Sequence, residues 1–178
     1  MNIQSLTVQH DLAEDRIALL ARDAERQQLL LLTRHLSFRL LEALARELQQ
    51  QQGDERLAQV GLEDELLSMK HARALGAIRE VQRDQAPPPV IAAVNLPVAL
   101  VREINLHPTG NGRILVFRAE PKRELARLAL DNAQVHWFVG RITTHAQKAG
   151  WGKPIPVPGW LEPAGPQSVS GNIEGSLH

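Results

Sequence analysis

The 178-residue sequence has no cysteine, which excludes disulfides, thiolate zinc sites, iron–sulfur clusters and a cysteine nucleophile together. It has no tyrosine and only three phenylalanines and three tryptophans, few for a surface on which bases stack. No apolar stretch approaches the roughly 18 residues needed to span a bilayer, and no apolar N-terminal run precedes a small-residue cleavage site. The expected compartment is the cytoplasm, with no membrane partner. Net charge is zero, so long-range steering toward a polyanion is weak. Missing as well are a GxSxG elbow, a GxxxxGK[ST] phosphate loop, an HExxH helix and any histidine pair at i, i+4. These absences point away from an enzyme and leave no expected cofactor or metal.

What is there is an ordinary globular composition, 43% apolar and 22% charged. Residues 2–10 alternate as a strand, 16–22 (RIALLAR) read as a second and 28–32 as a short buried third. Thr33 suits a helix N-cap, and Leu36, Leu40, Leu41, Leu44 and Leu48 then share one helical face that stops near Gly53. A second helical segment over 54–85 carries Leu62, Leu66, Met69, Leu75, Ile78 and Val81, with Glu63, Asp64 and Glu65 complementing the dipole of its first turn. Pro87-Pro88-Pro89 ends it.

The first pattern then returns. Val90–Val94 and Val98–Leu106 read as strands, Thr109-Gly-Asn-Gly112 as a hairpin turn, 113–118 and 124–130 as further strands, and Asp131 as an N-cap. Val135, Phe138, Val139, Ile142 and Ala149 form the next helical face, ended by Gly150. At a spacing of 97, His10 meets His107, Arg16-Ile17 meets Arg113-Ile114, and Arg26 meets Arg123. At 98, Thr33 meets Asp131, and Leu40, Leu41 and Leu44 meet Phe138, Val139 and Ile142.

The expected fold is therefore α+β: one antiparallel sheet from two related β-β-β-α halves, helices on one face, a helical connector and a Pro/Gly-rich C-terminal tail. A single domain would cover 1–161, comprising 1–53, the connector 54–88, 89–150 and a fold-back segment 151–161. Residues 162–178 would form a flexible tail. Strands followed by a helix, twice over, is similar in outline to the Whirly and PUR single-strand binders, a similarity of topology rather than of motif.

Two kinds of contact surface stand out. Residues 86–150 carry a net charge of +4, and Arg113, Arg118, Lys122, Arg123 and Arg127 fall on consecutive strands and their turn. Arg16, Arg22 and Arg26 would match them in the first half, giving a candidate face for nucleic acid phosphates. Separately, Trp137 stands four residues before Arg141, a spacing that allows cation–π stacking. Trp151 should pack back on the last helical turn. Trp160 and Leu161, in a Pro-rich extended segment with Ile155 and Val157, make an apolar strip for fold-back or for a partner.

Among the histidines, His136 and His145 lie nine residues, about 900°, apart on one helix and so face opposite ways. His71 reads as an interface histidine bonded to a carbonyl. His10 and His107 read as solvated turn residues. The leading expectation is a non-catalytic binding or assembly subunit that contacts a protein partner or a second copy of itself. The alternative is a single-stranded nucleic-acid binder.

Overall fold

The computed structural model describes residues 1–50, 63–83 and 96–151. Among these residues eight strands and three helices follow one another as β1 (Asn2–Ile3), β2 (Ser5–Asp11), β3 (Arg16–Arg22), β4 (Gln27–Leu32), α1 (Arg34–Gln50), α2 (Glu63–Arg83), β5 (Val98–Val101), β6 (Glu103–Thr109), β7 (Gly112–Glu120), β8 (Arg123–Asp131) and α3 (Asn132–Lys148). The expected strand at Val90–Val94, the Pro87–Pro89 stop and the segment 152–178 lie outside the described residues.

The α+β composition is as expected, but the strands form two sheets rather than one. One sheet runs β2-β3-β4-β5 and the other β1-β8-β7-β6. Each is antiparallel except at one edge, where β5 pairs parallel to β4 and β1 parallel to β8. The cause is a break in each leading strand. Residues 2–10 and 98–106 read as continuous strands, yet Gln4 and Arg102 are joints at which the chain leaves one sheet for the other. The Gln4 N–H donates to the Arg22 carbonyl at 2.8 Å, and the Arg102 N–H to the Arg118 carbonyl at 2.9 Å. No glycine or proline marks either joint.

Both sheets turn one face to a shared core, to which α1 and α3 contribute Leu40, Leu41, Leu44, Val135, Phe138, Val139 and Ile142. The helices thus pack against the inner faces of two sheets instead of covering one. Each of these helices starts on a side-chain cap. Thr33 Oγ1 accepts from the Leu36 N–H at 3.2 Å, and Asp131 accepts from the Gln134 N–H at 2.7 Å within a full capping box. Past α3, Gly150 at φ 66° supplies the left-handed turn that closes the helix.

Side-chain facing gives a second way to set the two segments side by side. Val8, Leu19 and Leu30 are neighbours across β2, β3 and β4 and face the core; Leu106, Leu115 and Leu128 are neighbours across β6, β7 and β8 and do the same. The offsets are 98, 96 and 98. The spacing of 97 would equate Ile17, which faces the core, with Ile114, which faces outward. Turn length is the reason: four residues separate the pair Asp11–Arg16, but only two separate Thr109–Gly112. A one-residue slip in a strand exchanges its faces. By position, then, Arg22 corresponds to Arg118, Arg16 to Gly112, and Arg113 to the core residue Ile17.

The contact face of α2 is also rotated from expectation. Leu67 and Ala74 are buried, whereas Met69 is 69% exposed. The helix packs on α3 through the side of Leu67, His71, Ala74 and Leu75.

Candidate functional site

The eight basic residues expected to form one face are divided among several environments. Arg16 and Arg22 project from the outer face of the β2-β3-β4-β5 sheet, and Arg118 and Arg127 from that of the other sheet, each face turned from the common core. Arg26, Lys122 and Arg123 are exposed in the β3–β4 and β7–β8 turns. Arg26 lines an open cleft of about 320 Å³ with Met1, Asn2, Gln4 and Asp23.

Arg113 is not a surface residue. It occupies the core-facing position that Ile17 holds in the first segment, is 9% exposed, and is ion-paired with Glu47 of α1 while also donating to the Gly112 carbonyl. It is unavailable to phosphate. Arg127 forms a two-pronged pair with Glu124, at 2.7 and 2.9 Å, and that hydrogen bonding holds the Glu124 carboxyl below its ordinary range. Glu103 stands opposite Arg118, so acids are interleaved with the bases. No Phe or Trp lies on an outer strand face among the described residues: Phe117 and Phe138 are fully buried.

The outer face of the β2-β3-β4-β5 sheet is unlike the other in being aliphatic. Ala18, Leu20, Leu29 and Leu31 form a cluster separate from the main core, with Leu96 and Leu100 packed against it. Val98, on the edge strand β5 beside Leu29, is 59% exposed.

Trp137 is partly buried against the core and Arg141 is exposed, and the two form no cation–π pair among the contacts of the described residues. Instead the guanidinium of Arg34 lies 5.4 Å from the Phe38 ring and 5.9 Å from that of Trp151. Trp151 is buried and donates its indole N–H to Asp15 at 2.6 Å. His10 meets the same carboxylate oxygen at 3.0 Å and stacks edge-on against Trp151, so it is not a solvated turn residue. His107 is exposed. Trp160 and Leu161 lie outside the described residues.

The cluster that sequence reading did not foresee joins the second helix to the third. His71 of α2 and His136 of α3 approach Nδ1 to Nδ1 at 3.3 Å, their ring centroids 5.4 Å apart. His71 therefore lies at a helix–helix interface, with the His136 imidazole among its contacts. Gly140 makes the approach feasible, since a Cβ there would lie 3.3 Å from His71 Cε1 and from Leu75 Cδ2. The two histidines are 65 residues apart in the chain, and no local spacing signals the pairing.

No family model, curated protein or solved structure matches this chain. The site is therefore read from its own geometry.

Burial drives His136 down to about 4, with the nearby His71 and Lys70 acting in the same direction, and burial lowers His71 as well. A histidine held neutral in the folded chain takes its proton on unfolding. Between its ordinary pKa near 6.5 and about 4, the unfolded chain binds more protons, and the contribution to stability is lost as pH falls through that window. The thermal midpoint should accordingly drop between pH 7.5 and pH 4.5, and His136→Gln should flatten that drop. An equal decline in the variant, measured at fixed ionic strength, would assign the effect to other groups.

Proposed function

We propose that this protein is a non-catalytic, cytoplasmic binding or assembly subunit that acts through protein–protein contacts, with a second copy of itself as partner. The observation that carries the reading is the aliphatic outer face of the β2-β3-β4-β5 sheet running out to Val98 on the edge strand β5. A four-residue edge strand has one row of backbone groups directed away from its sheet, and edge-to-edge pairing across a twofold axis would satisfy them. Ala18, Leu20, Leu29 and Leu31 are themselves buried, so the apolar side chain left open beside that edge is Val98, which pairing with a second copy would cover.

In the same reading the chain is a duplication. Two β-β-β-β-α units each lend a leading strand to the other's sheet, with 1–161 as one domain and 162–178 as a tail. What supports it is the matched cap geometry, the equal 17-residue helices and the equivalent parallel pairings Leu29–Val98 and Asn2–Arg127. Trp160 and Leu161 would extend the contact surface, as would Trp137 and Arg141 on α3.

The alternative, a single-stranded nucleic-acid binder, is favoured by one feature. Arg22 at the end of β3 and Arg118 near the end of β7 face outward, each with its Nε buried and without a hydrogen-bond partner, although Arg118 Nη1 donates to the Pro121 carbonyl. The interleaved acids, and the lack of Phe or Trp on an outer strand face among the described residues, place this reading second.

Sedimentation analysis separates the two. The wild type should be dimeric at about 50 µM, a concentration well above a micromolar dissociation constant, and Val98→Glu should be monomeric and folded. A monomeric wild type would overturn the self-assembly reading. Oligonucleotide binding that weakens steeply with salt, and is lost in Arg22→Glu with Arg118→Glu, would replace it with the alternative.

A further inference from the structure

We propose that the uncharged apolar strip 155–161 seats on the outer face of the β2-β3-β4-β5 sheet of its own chain and roofs Ala18, Leu20, Leu29 and Leu31. These four side chains face away from the common core, paired Ala18–Leu31 and Leu20–Leu29 across β3 and β4, yet they are only 0%, 2%, 7% and 8% exposed. Among the described residues the apolar side chains packed against them are Leu96 and Leu100. Leu100 stands on β5, two strands from Ala18, or about 10 Å at the usual strand spacing. An alanine in the middle of a sheet face is too short to shield itself, so its complete burial requires atoms above it. The margins of the face are open by comparison. Thr7 and Gln9, beside Leu20 and Ala18 on β2, are only partly buried, and Val98 at the other margin is 59% exposed. The closed area is a band along β3 and β4, which fits a single segment better than a second sheet, since a sheet would close the margins too.

Residues 155–161 match that band in reach, chemistry and backbone. Trp151 is fastened to Asp15 in the β2–β3 turn and to Arg34, both at the Ala18–Leu31 end of the sheet. Nine residues lead from it to Trp160, roughly 28 Å of polyproline-like chain, against roughly 20 Å for the length of β3. Ile155, Val157, Trp160 and Leu161 are apolar and no residue of 155–161 is charged, so seating the strip strands no charge. Pro154, Pro156 and Pro158 have no N–H to donate, which suits a segment lying across side chains rather than pairing with a strand edge. Leu96 approaches from the opposite end, where the Pro97 carbonyl accepts from the Leu29 N–H, and it leaves the Ala18–Leu31 end to the strip.

The test exploits the lack of cysteine, which lets one introduced thiol carry a nitroxide at one known place. In the full chain the label goes on Gln27→Cys, exposed on the outer face beside Arg22, or on Ala129→Cys, exposed on the outer face of the other sheet. The NMR signal of the Trp160 indole N–H, identified by its loss in Trp160→Phe, should be broadened away by the first label and kept with the second. It should also survive when an isotope-enriched chain without nitroxide is mixed with the nitroxide-bearing Gln27→Cys chain. Broadening in that mixture would give the seat to the strip of a second copy. A signal untouched by the Gln27→Cys label would leave the face to another segment such as 84–95. Either result overturns the proposal. Independently, Trp160→Ser with Leu161→Ser should lower the unfolding midpoint by at least about 4 °C and raise the binding of an apolar dye severalfold. Met69→Ser, at an exposed position on α2, should do neither. A double variant that matches the wild type in both readouts would overturn the proposal as well.

Discussion

Glu47→Ala is expected to destabilise the protein by roughly 3 kcal/mol, the low end of the range for breaking a buried ion pair by removing one partner. Glu47 sits on α1 and reaches Arg113 at the start of β7, the side chains being 30% and 10% exposed. Removing the carboxylate takes the Glu47 charge away from the more deeply buried member, a guanidinium that cannot shed its proton. Removing the arginine instead leaves a carboxylate that solvent still reaches, so Arg113→Met should cost less than Glu47→Ala. Arg113 occupies a core-facing position, and its stem has already displaced water there. A double variant, Glu47→Leu with Arg113→Met, should recover most of the loss, because an apolar pair of similar volume dispenses with the desolvation of both charges. Urea unfolding of the wild type, Glu47→Leu, Arg113→Met and the double variant closes the cycle that measures the coupling. If Glu47→Ala costs under about 1 kcal/mol, the pair behaves as a surface salt bridge and the buried assignment of Arg113 is wrong.

Arg113 also shows how far the sequence could be read. Hydrophobic periodicity identified α1 and α3, both caps and the tight hairpin turn, because each is specified by neighbours within a few residues. It did not identify the number of sheets. A strand that crosses from one sheet to another keeps its alternation through the joint, and neither Gln4 nor Arg102 is a residue type that announces a break. The facing of β7 was lost for a related reason. Aligning Arg16-Ile17 with Arg113-Ile114 follows identity of residue type, whereas matching by side-chain facing sets Ile17 beside Arg113, because the two turns differ by two residues. An error of one residue was enough to put a buried arginine on a proposed phosphate-binding face.

The candidate site was legible in a different proportion. His71 was recognisable as an interface residue from its place beside an apolar stripe, and Gly140 carried no signal at all. Their meeting with His136 depends on the rotation of α2 against α3, which is set by Leu67 and Ala74 rather than by the Leu66 and Met69 side that periodicity favoured. Juxtapositions across long chain separations follow from packing, and packing is not local information.

Trp151→Ala should cost at least as much as Glu47→Ala, at about 3–5 kcal/mol, the usual cost of emptying a large aromatic site in a core. Trp151 is 2% exposed and lies just past α3, yet most of its neighbours come from the first segment of the chain. The rings of His10 and Phe38 meet it edge-on at 5.6 Å each, an arrangement that adds to the area it buries. Its indole N–H donates to Asp15, its backbone N–H donates to the Ala146 carbonyl at 3.1 Å, and its carbonyl accepts from Arg34. One residue therefore fastens the exit of α3 to the β2–β3 turn and to α1. The Asp15 carboxyl is held below its ordinary range first by the Trp151 hydrogen bond and then by His10. In Trp151→Ala that carboxyl should titrate closer to an ordinary aspartate, which NMR of the side chain can follow. Because the Asp15 side chain is 62% exposed, the shift reports the lost bond without adding much to the stability change. Trp151→Phe keeps most of the volume and one edge contact but no donor, so its cost should fall between the wild type and alanine. Equal costs for phenylalanine and alanine would mean that the bond to Asp15, rather than packing, carries the energy; a loss below about 1 kcal/mol in both would remove Trp151 from the core altogether.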